Sequence, residues 1–229
     1  MSIDVIGFDA DDTLWHNERY FADTQRAFHD LLARFAEPHA TEESLLAAER
    51  RNLALFGYGV KGFLLSMIET AIEISDGAIP AHEIHHIIEL GKALLARPVE
   101  LMPYAAEVVR HLAADRRLVL ITKGDLFHQE TKIAASGLAE SFWQIEIVAE
   151  KDASTFTRIF DRHGIEPATF AMVGNSLRSD ILPVLDLGGR GVHVPYEITW
   201  AMEHALAEEH HDFVSIADLS ELPAALERW

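Results

Sequence analysis

The sequence predicts an α/β fold: a parallel sheet with helices on both faces, carrying an inserted helical subdomain. Three observations predict it. From Pro103 onward, short apolar runs alternate with helix-period segments, the grammar of a parallel sheet. A run of the same kind, Ile3–Phe8, opens the chain. Between the two lie four consecutive helix-period segments with no strand among them, as in a helical bundle.

Taken in order, Ile3–Phe8 is the first strand. Helices are predicted over 17–37, 41–56, 60–75 and 80–96, punctuated by Pro38, by Gly57 and Gly59, and by Gly77 and Pro80. Pro103 can open a helix running to about Asp115. Arg117–Thr122 reads as a buried strand, followed by a helix over 125–136, a strand near Gln144–Ala149 and a helix over 152–163. Thr169–Val173 is the next strand, then a helix over 177–187 and a short strand over Gly191–Val194. The tail, 199–229, adds a helix, the apolar segment Phe213–Ile216 and a last helix. The sheet domain is thus expected to span 1–15 and 98–229, and the insertion 16–97.

Composition narrows the function classes. The chain has 229 residues, 49% of them hydrophobic, enough for one α/β core with an inserted subdomain and too apolar for disorder. It has no cysteine, which excludes disulfides, thiol catalysis and a Cys-ligated zinc site. No apolar run reaches the length of a membrane span and Met1–Asp4 lacks a signal-peptide layout, so a cytoplasmic protein is expected. With 19 basic against 37 acidic residues the formal charge is −18, which disfavours nucleic-acid or anionic-membrane partners. The expected partner is a small metabolite, and the expected state a monomer or homodimer. An anionic substrate would need local lysines or a bound cation to offset that field.

In parallel sheets ligands bind outside the carboxyl ends of the strands. The first predicted strand ends at Asp9-Ala10-Asp11-Asp12-Thr13, and the second at Thr122-Lys123-Gly124. The third runs into Glu150-Lys151, and the fourth ends in Gly174-Asn175-Ser176-Leu177-Arg178-Ser179-Asp180. Gln129, Lys132, Gly137-Leu138 and Phe142 follow the second.

In order and placement these segments resemble the four motifs of the haloacid dehalogenase superfamily of hydrolases. The resemblance implies a Rossmann-like core, with the insertion as the helical (C1-type) cap that selects substrates. It implies a nucleophile at Asp9, forming an aspartyl-phosphate, and a general acid/base at Asp11 oriented by Thr13. Thr122 and Lys151 are expected on the phosphoryl oxygens, with Lys123 and the backbone around Gly124 helping to bind substrate. Crowding two carboxylates is expected to raise the pKa of one, suiting an acid, while a metal ion keeps the other ionised. The implied metal is Mg²⁺, on Asp9, the backbone carbonyl of Asp11, Asn175 and Asp180. Asn175 stands where the family usually has an acid, which removes one negative charge from that set. Asp12 is read as local, bonding backbone.

The implied activity is a Mg²⁺-dependent phosphatase of small phosphomonoesters. A dehalogenase is disfavoured by Asp11 and a phosphonatase by its need for a cap lysine. A phosphomutase shares the motifs, and Asn175 motivates a catalytically silent binder of phosphate ligands. Two other features read as local. His82-Glu83-Ile84-His85-His86 fits H-E-x-x-H, but a solvated helix face accounts for it better than a zinc site without a third ligand. Glu209-His210-His211 is expected at the surface. Gly57–Gly62, with Tyr58 and Lys61, is either a specificity loop or a plain helix connection.

Overall fold

The computed structural model describes residues 2–203 and 213–229. The chain divides into two units: Met1–Glu18, Val99–Lys123 and Gln129–Trp229 form one, Arg19–Pro98 and Gly124–His128 the other.

The first unit is built on a six-stranded, all-parallel sheet in the order β3-β2-β1-β4-β5-β6. Its strands are β1 (Val5–Phe8), β2 (Arg117–Lys123), β3 (Gln144–Val148), β4 (Phe170–Gly174), β5 (Arg190–His193) and β6 (Phe213–Ser215). Strand side chains alternate between faces, and the core splits accordingly. On one face Ile6, Phe8, Leu118, Leu120, Ala171 and Val173 pack with residues of α5 (Ala105–Ala113) and α9 (Leu222–Leu226). On the other, Val5, Val119, Ile121, Phe170 and Met172 pack on Phe156, Ile159 and Phe160 of α7 (Ala153–His163). Covering both faces explains why β1, β2 and β4 read as unbroken apolar runs. Gly7 permits this packing: a Cβ there would stand 2.4 Å from the Phe170 ring.

Register sets the active edge. Phe8 pairs with Leu120 on one side and Val173 on the other, so Asp9, Thr122 and Gly174 come together at the carboxyl ends of their strands. Beside them the two stems of the helical insertion run together: His16 N–H donates to Glu100 O (3.0 Å) and Met102 N–H to Leu14 O (2.9 Å).

The second unit contains α1 (Glu18–Leu32, its first residue in the other unit), α2 (Pro38–Phe56), α3 (Val60–Ile74) and α4 (Ala81–Leu95). Phe28, Leu32, Leu45, Phe63, Met67 and Ile87 form its core. In α4, Glu83 is buried and paired with Arg34 (2.8 Å), whereas His82, His85 and His86 are exposed. The H-E-x-x-H pattern therefore splits between two faces of the helix. In the 57–62 connection Gly57 and Gly59 have φ of +70° and +107°, and Lys61 Nζ lies 2.9 Å from Asp125 Oδ2 in the same unit.

The structure differs from the sequence reading in three places. The segment read as one helix over 177–187 is a π turn, Leu177–Ile181, followed by the short α8 (Leu182–Leu185). Pro183, with no N–H to donate, sits at the junction. Phe213–Ser215 is a sixth strand, pairing with β5, where five strands were expected. No helix is present over 199–203, and the remainder of that expected helix, with Glu209-His210-His211, lies outside the described residues. Among the described residues no helix is long and apolar enough to cross a membrane.

Candidate active site

Asp9 continues β1 by one residue, its N–H donating to Val173 O (2.9 Å). The chain then doubles back, with Leu14 N–H returning to Ala10 O (2.8 Å). That turn needs a left-handed residue, and Asp12 supplies it at φ +63°. The Asp12 carboxylate accepts the backbone N–H groups of Asn17 and Glu18 and thereby caps α1. Its role is local, as its sequence setting suggested.

Asp9 is almost wholly buried. One carboxylate oxygen is bonded to Lys151 Nζ and the other accepts the Thr13 hydroxyl at 3.0 Å. Lys151 also pairs with Asp180 Oδ1 (2.7 Å). Thr13 Oγ1 lies 3.4 Å from Asn175 Oδ1 as well, so it bridges the first and fourth motifs instead of orienting Asp11. Lys151 comes just before Asp152, the N-cap of α7, whose side chain accepts Thr155 N–H at 2.8 Å. Asp180 is fixed by its own turn: Ser176 N–H donates to Asp180 Oδ2 (3.0 Å). Gly174 makes room for that carboxylate, since a Cβ there would stand 2.3 Å from Asp180 Oδ2.

Asp11 points to a different set of partners. Lys132 Nζ binds both its oxygens (2.6 and 2.7 Å), Trp15 Nε1 donates at 2.7 Å and Gln129 Nε2 at 3.1 Å. Gln129 Nε2 also reaches Thr122 Oγ1 (2.7 Å) and Lys123 O (2.6 Å), joining the second motif to the first. Lys123 Nζ turns to Glu203 (2.6 Å), Ser179 (2.8 Å) and Glu150 (3.2 Å), an ion-pair network where an additional phosphate ligand was expected. Gly124, at φ +139°, follows Lys123 and groups with the helical unit.

Charges follow from these partners. Burial, and then the nearby Asp180 charge, pushes Asp9 up to about 7 in spite of Lys151. Burial opposes the Lys151 charge, but Asp180 and Asp9 outweigh it and hold the ammonium above the usual lysine range. Burial also acts on Asp11, yet Lys132, Trp15 and Gln129 prevail and hold it below the ordinary carboxylate value. Where the acid/base was expected to be the raised carboxyl, it is Asp9 that is raised, by burial and the Asp180 charge, while Lys132, Trp15 and Gln129 lower Asp11.

A divalent cation suits this arrangement. Two buried carboxylates, Asp9 and Asp180, share one ammonium, which leaves a negative charge uncompensated in a low-dielectric setting. The donors that the family resemblance implies, Asp9, Asp180, the Asn175 amide oxygen and the Asp11 backbone carbonyl, are all oxygens, which a hard ion such as Mg²⁺ prefers. Among the described residues no group of three His, Cys, Asp or Glu side chains is placed to hold a metal ion.

Sequence reasoning missed Glu203, on which Lys123, Ser176 and Ser179 converge. It also gave no role to Gln129 and Lys132, although both stood in the recognised pattern.

The family model of haloacid dehalogenase-like hydrolases matches residues 3–188. The chain belongs to that family. It is therefore a hydrolytic enzyme. It is 44% identical to a haloacid dehalogenase-like family hydrolase from Xanthomonas campestris, covering 99% of this chain and 91% of that one, with a TM-score of 0.89. A 2-haloacid dehalogenase from Pseudomonas syringae pv. tomato DC3000 is 22% identical over 99% of both chains (TM-score 0.65). A predicted phosphoglycolate phosphatase from Haemophilus somnus is 17% identical over 98% of both (TM-score 0.62). The last two share the fold with this hydrolase and differ from each other in reaction, so the fold alone does not choose the chemistry. No curated protein matches the chain.

Proposed function

We propose that this hydrolase is a Mg²⁺-dependent phosphatase acting on a small phosphomonoester through an aspartyl-phosphate at Asp9. The observation that carries the reading is Asp11, a second carboxylate two residues beyond the nucleophile, held by Lys132, Trp15 and Gln129. Ester hydrolysis needs a proton for the leaving alkoxide and a base for the attacking water, and Asp11 can serve as both in turn. Displacement of halide from carbon needs no proton for its leaving group.

Asp9 supplies the attacking oxygen. Lys151, bonded to Asp9 and Asp180, offsets the charge gathering on the transferring group. Thr122, near the end of β2, accepts Gln129 Nε2 on its hydroxyl (2.7 Å). Thr13 keeps Asp9 in one rotamer through its 3.0 Å bond. When bound at Asp9, Asp180, Asn175 and the Asp11 carbonyl, Mg²⁺ neutralises negative charge and so allows Asp9 to be ionised near neutrality. We assign substrate selection to the helical unit. A cytoplasmic enzyme without nucleic-acid or membrane partners is in keeping with the charge of −18.

The experiment is hydrolysis of p-nitrophenyl phosphate with and without Mg²⁺, by the wild type and by Asp9→Asn. The reading expects turnover that EDTA abolishes and that the variant lacks. Turnover by Asp9→Asn, or turnover indifferent to EDTA, refutes it.

A further inference from the structure

Beside the reacting carboxylates lies a second polar cluster that the mechanism above does not use. Its centre is Glu203, which follows β5 by ten residues and whose side chain is 16% exposed. Glu203 Oε2 accepts the hydroxyls of Ser176 (2.6 Å) and Ser179 (2.5 Å), and Oε1 takes Lys123 Nζ at 2.6 Å. Arg178 donates to the carbonyl of the preceding residue, Met202. One short segment thus takes four bonds from two catalytic loops.

Each partner of Glu203 sits next to a site residue. Lys123 adjoins Thr122. Ser176 lies between Asn175 and the π turn, and its N–H holds Asp180 Oδ2; Ser179 precedes Asp180, and its N–H donates to Ser176 Oγ (3.1 Å). Lys123 also reaches Glu150, whose Oε1 accepts the N–H of Lys151 (2.9 Å). A carboxylate that gathers two hydroxyls and an ammonium fixes their mutual distances with charge-assisted bonds, which are stronger than neutral ones. The segment bearing Asp180 is a π turn, without the regular hydrogen-bond ladder of an α-helix, and it gains most from an external brace.

We propose that Glu203 is a positioning residue that braces the Asn175–Asp180 turn, through Ser176, Ser179 and Lys123, in the geometry required to bind a divalent cation. The proposal rests on the phosphatase reading only for its kinetic arm. Partners outside the ligand set that orient ligands typically contribute about 10- to 100-fold in metal affinity.

The test is calorimetric titration of Mg²⁺ into the wild type, Glu203→Gln and Ser176→Ala, with metal-free melting curves and p-nitrophenyl phosphate kinetics in parallel. Glu203→Gln keeps the shape but not the charge, and should raise the Mg²⁺ Kd about tenfold or more. It should lower kcat at saturating Mg²⁺ while leaving KM close to that of the wild type. Ser176→Ala, which loses one of the three bonds to Glu203 and with it the Ser179 N–H bond to Ser176 Oγ, should shift Kd in the same direction, and it carries the test if Glu203→Gln does not fold. A lowered melting point with an unchanged Kd identifies a plain structural tie and overturns the proposal. A wild type that binds Mg²⁺ without hydrolysing the ester overturns the phosphatase reading alone, and the brace is then judged on Kd. A wild type that binds no Mg²⁺ overturns both.

Discussion

Replacing Asp12 by Asn should stabilise the protein, and by more at pH 8 than at pH 5. Asp12 is 5% exposed, and its Oδ1 accepts N–H groups from Asn17 (2.8 Å) and Glu18 (3.0 Å). Burial, and then the Asp11 charge, raises its carboxyl from 3.8 to about 7 against those bonds. A carboxyl raised on folding makes the folded state bind protons more tightly than the unfolded chain. Its contribution is therefore complete below the unfolded value of 3.8 and is lost as pH rises through about 7. At about 1.4 kcal/mol per pH unit over that interval, the loss between pH 5 and pH 8 is about 3 kcal/mol. An Asn side chain keeps Oδ1 as acceptor, tolerates the left-handed backbone and does not titrate. Urea unfolding of both proteins at pH 5, 6, 7 and 8 without metal measures the difference directly. Asp9 also titrates near 7 but is present in both, so it largely cancels. Compared with Asp12→Asn, which also lacks the titrating carboxyl, Asp12→Ala loses the bonds that cap α1 and a side chain that tolerates the left-handed backbone, with an expected further loss of about 1–2 kcal/mol at every pH. A difference between Asp12→Asn and wild type that does not change with pH refutes the reasoning.

Three other outcomes follow from the site. Asn175→Asp adds a carboxylate to an oxygen-ligand set, and calorimetry should find Mg²⁺ bound about tenfold more tightly, since ligand charge tunes affinity; an unchanged Kd removes Asn175 from the set. Gly174→Ala forces a Cβ to within 2.3 Å of Asp180 Oδ2, and chemical unfolding should register an overpacking cost of about 1–3 kcal/mol. An unaltered stability there would show that Asp180 has room to move. Lys132→Met takes the ammonium from Asp11, so the limb of the kcat/KM profile set by Asp11 should move to higher pH, and a profile that stays in place contradicts the Asp11 assignment.

The sequence carried the sheet plainly where strands are buried on both faces. Val5–Phe8, Leu118–Ile121 and Phe170–Val173 are unbroken apolar runs because each face meets its own set of helices. Phe213–Ser215 read only as an apolar segment and not as a strand, because it is three residues long and only partly buried, with its place fixed by pairing to β5 and not by its own pattern. The π turn at 177–181 has the apolar spacing of a helix, and only Pro183 hints at the break. Within the site, the strand-end residues were legible because topology alone brings chain ends to one edge. Side-chain partners were not. Lys132 reaches Asp11 across 121 positions, and Lys123 reaches Glu203 across 80. Neither pairing leaves a local mark. The first of these contacts helps to hold Asp11 low, while burial and the Asp180 charge raise Asp9.

The most direct test of the account is a single turnover with enzyme in excess of phosphomonoester, in ¹⁸O-labelled water with Mg²⁺, followed by mass analysis of the peptide bearing Asp9. If Asp9 forms the acyl phosphate and water then attacks phosphorus, the released phosphate carries the label, Asp9 does not, and acid quenching during the turnover traps phosphate on Asp9. Phosphate released with no phosphorylated Asp9 peptide at any quench time, or label entering the Asp9 carboxylate, contradicts the central claim.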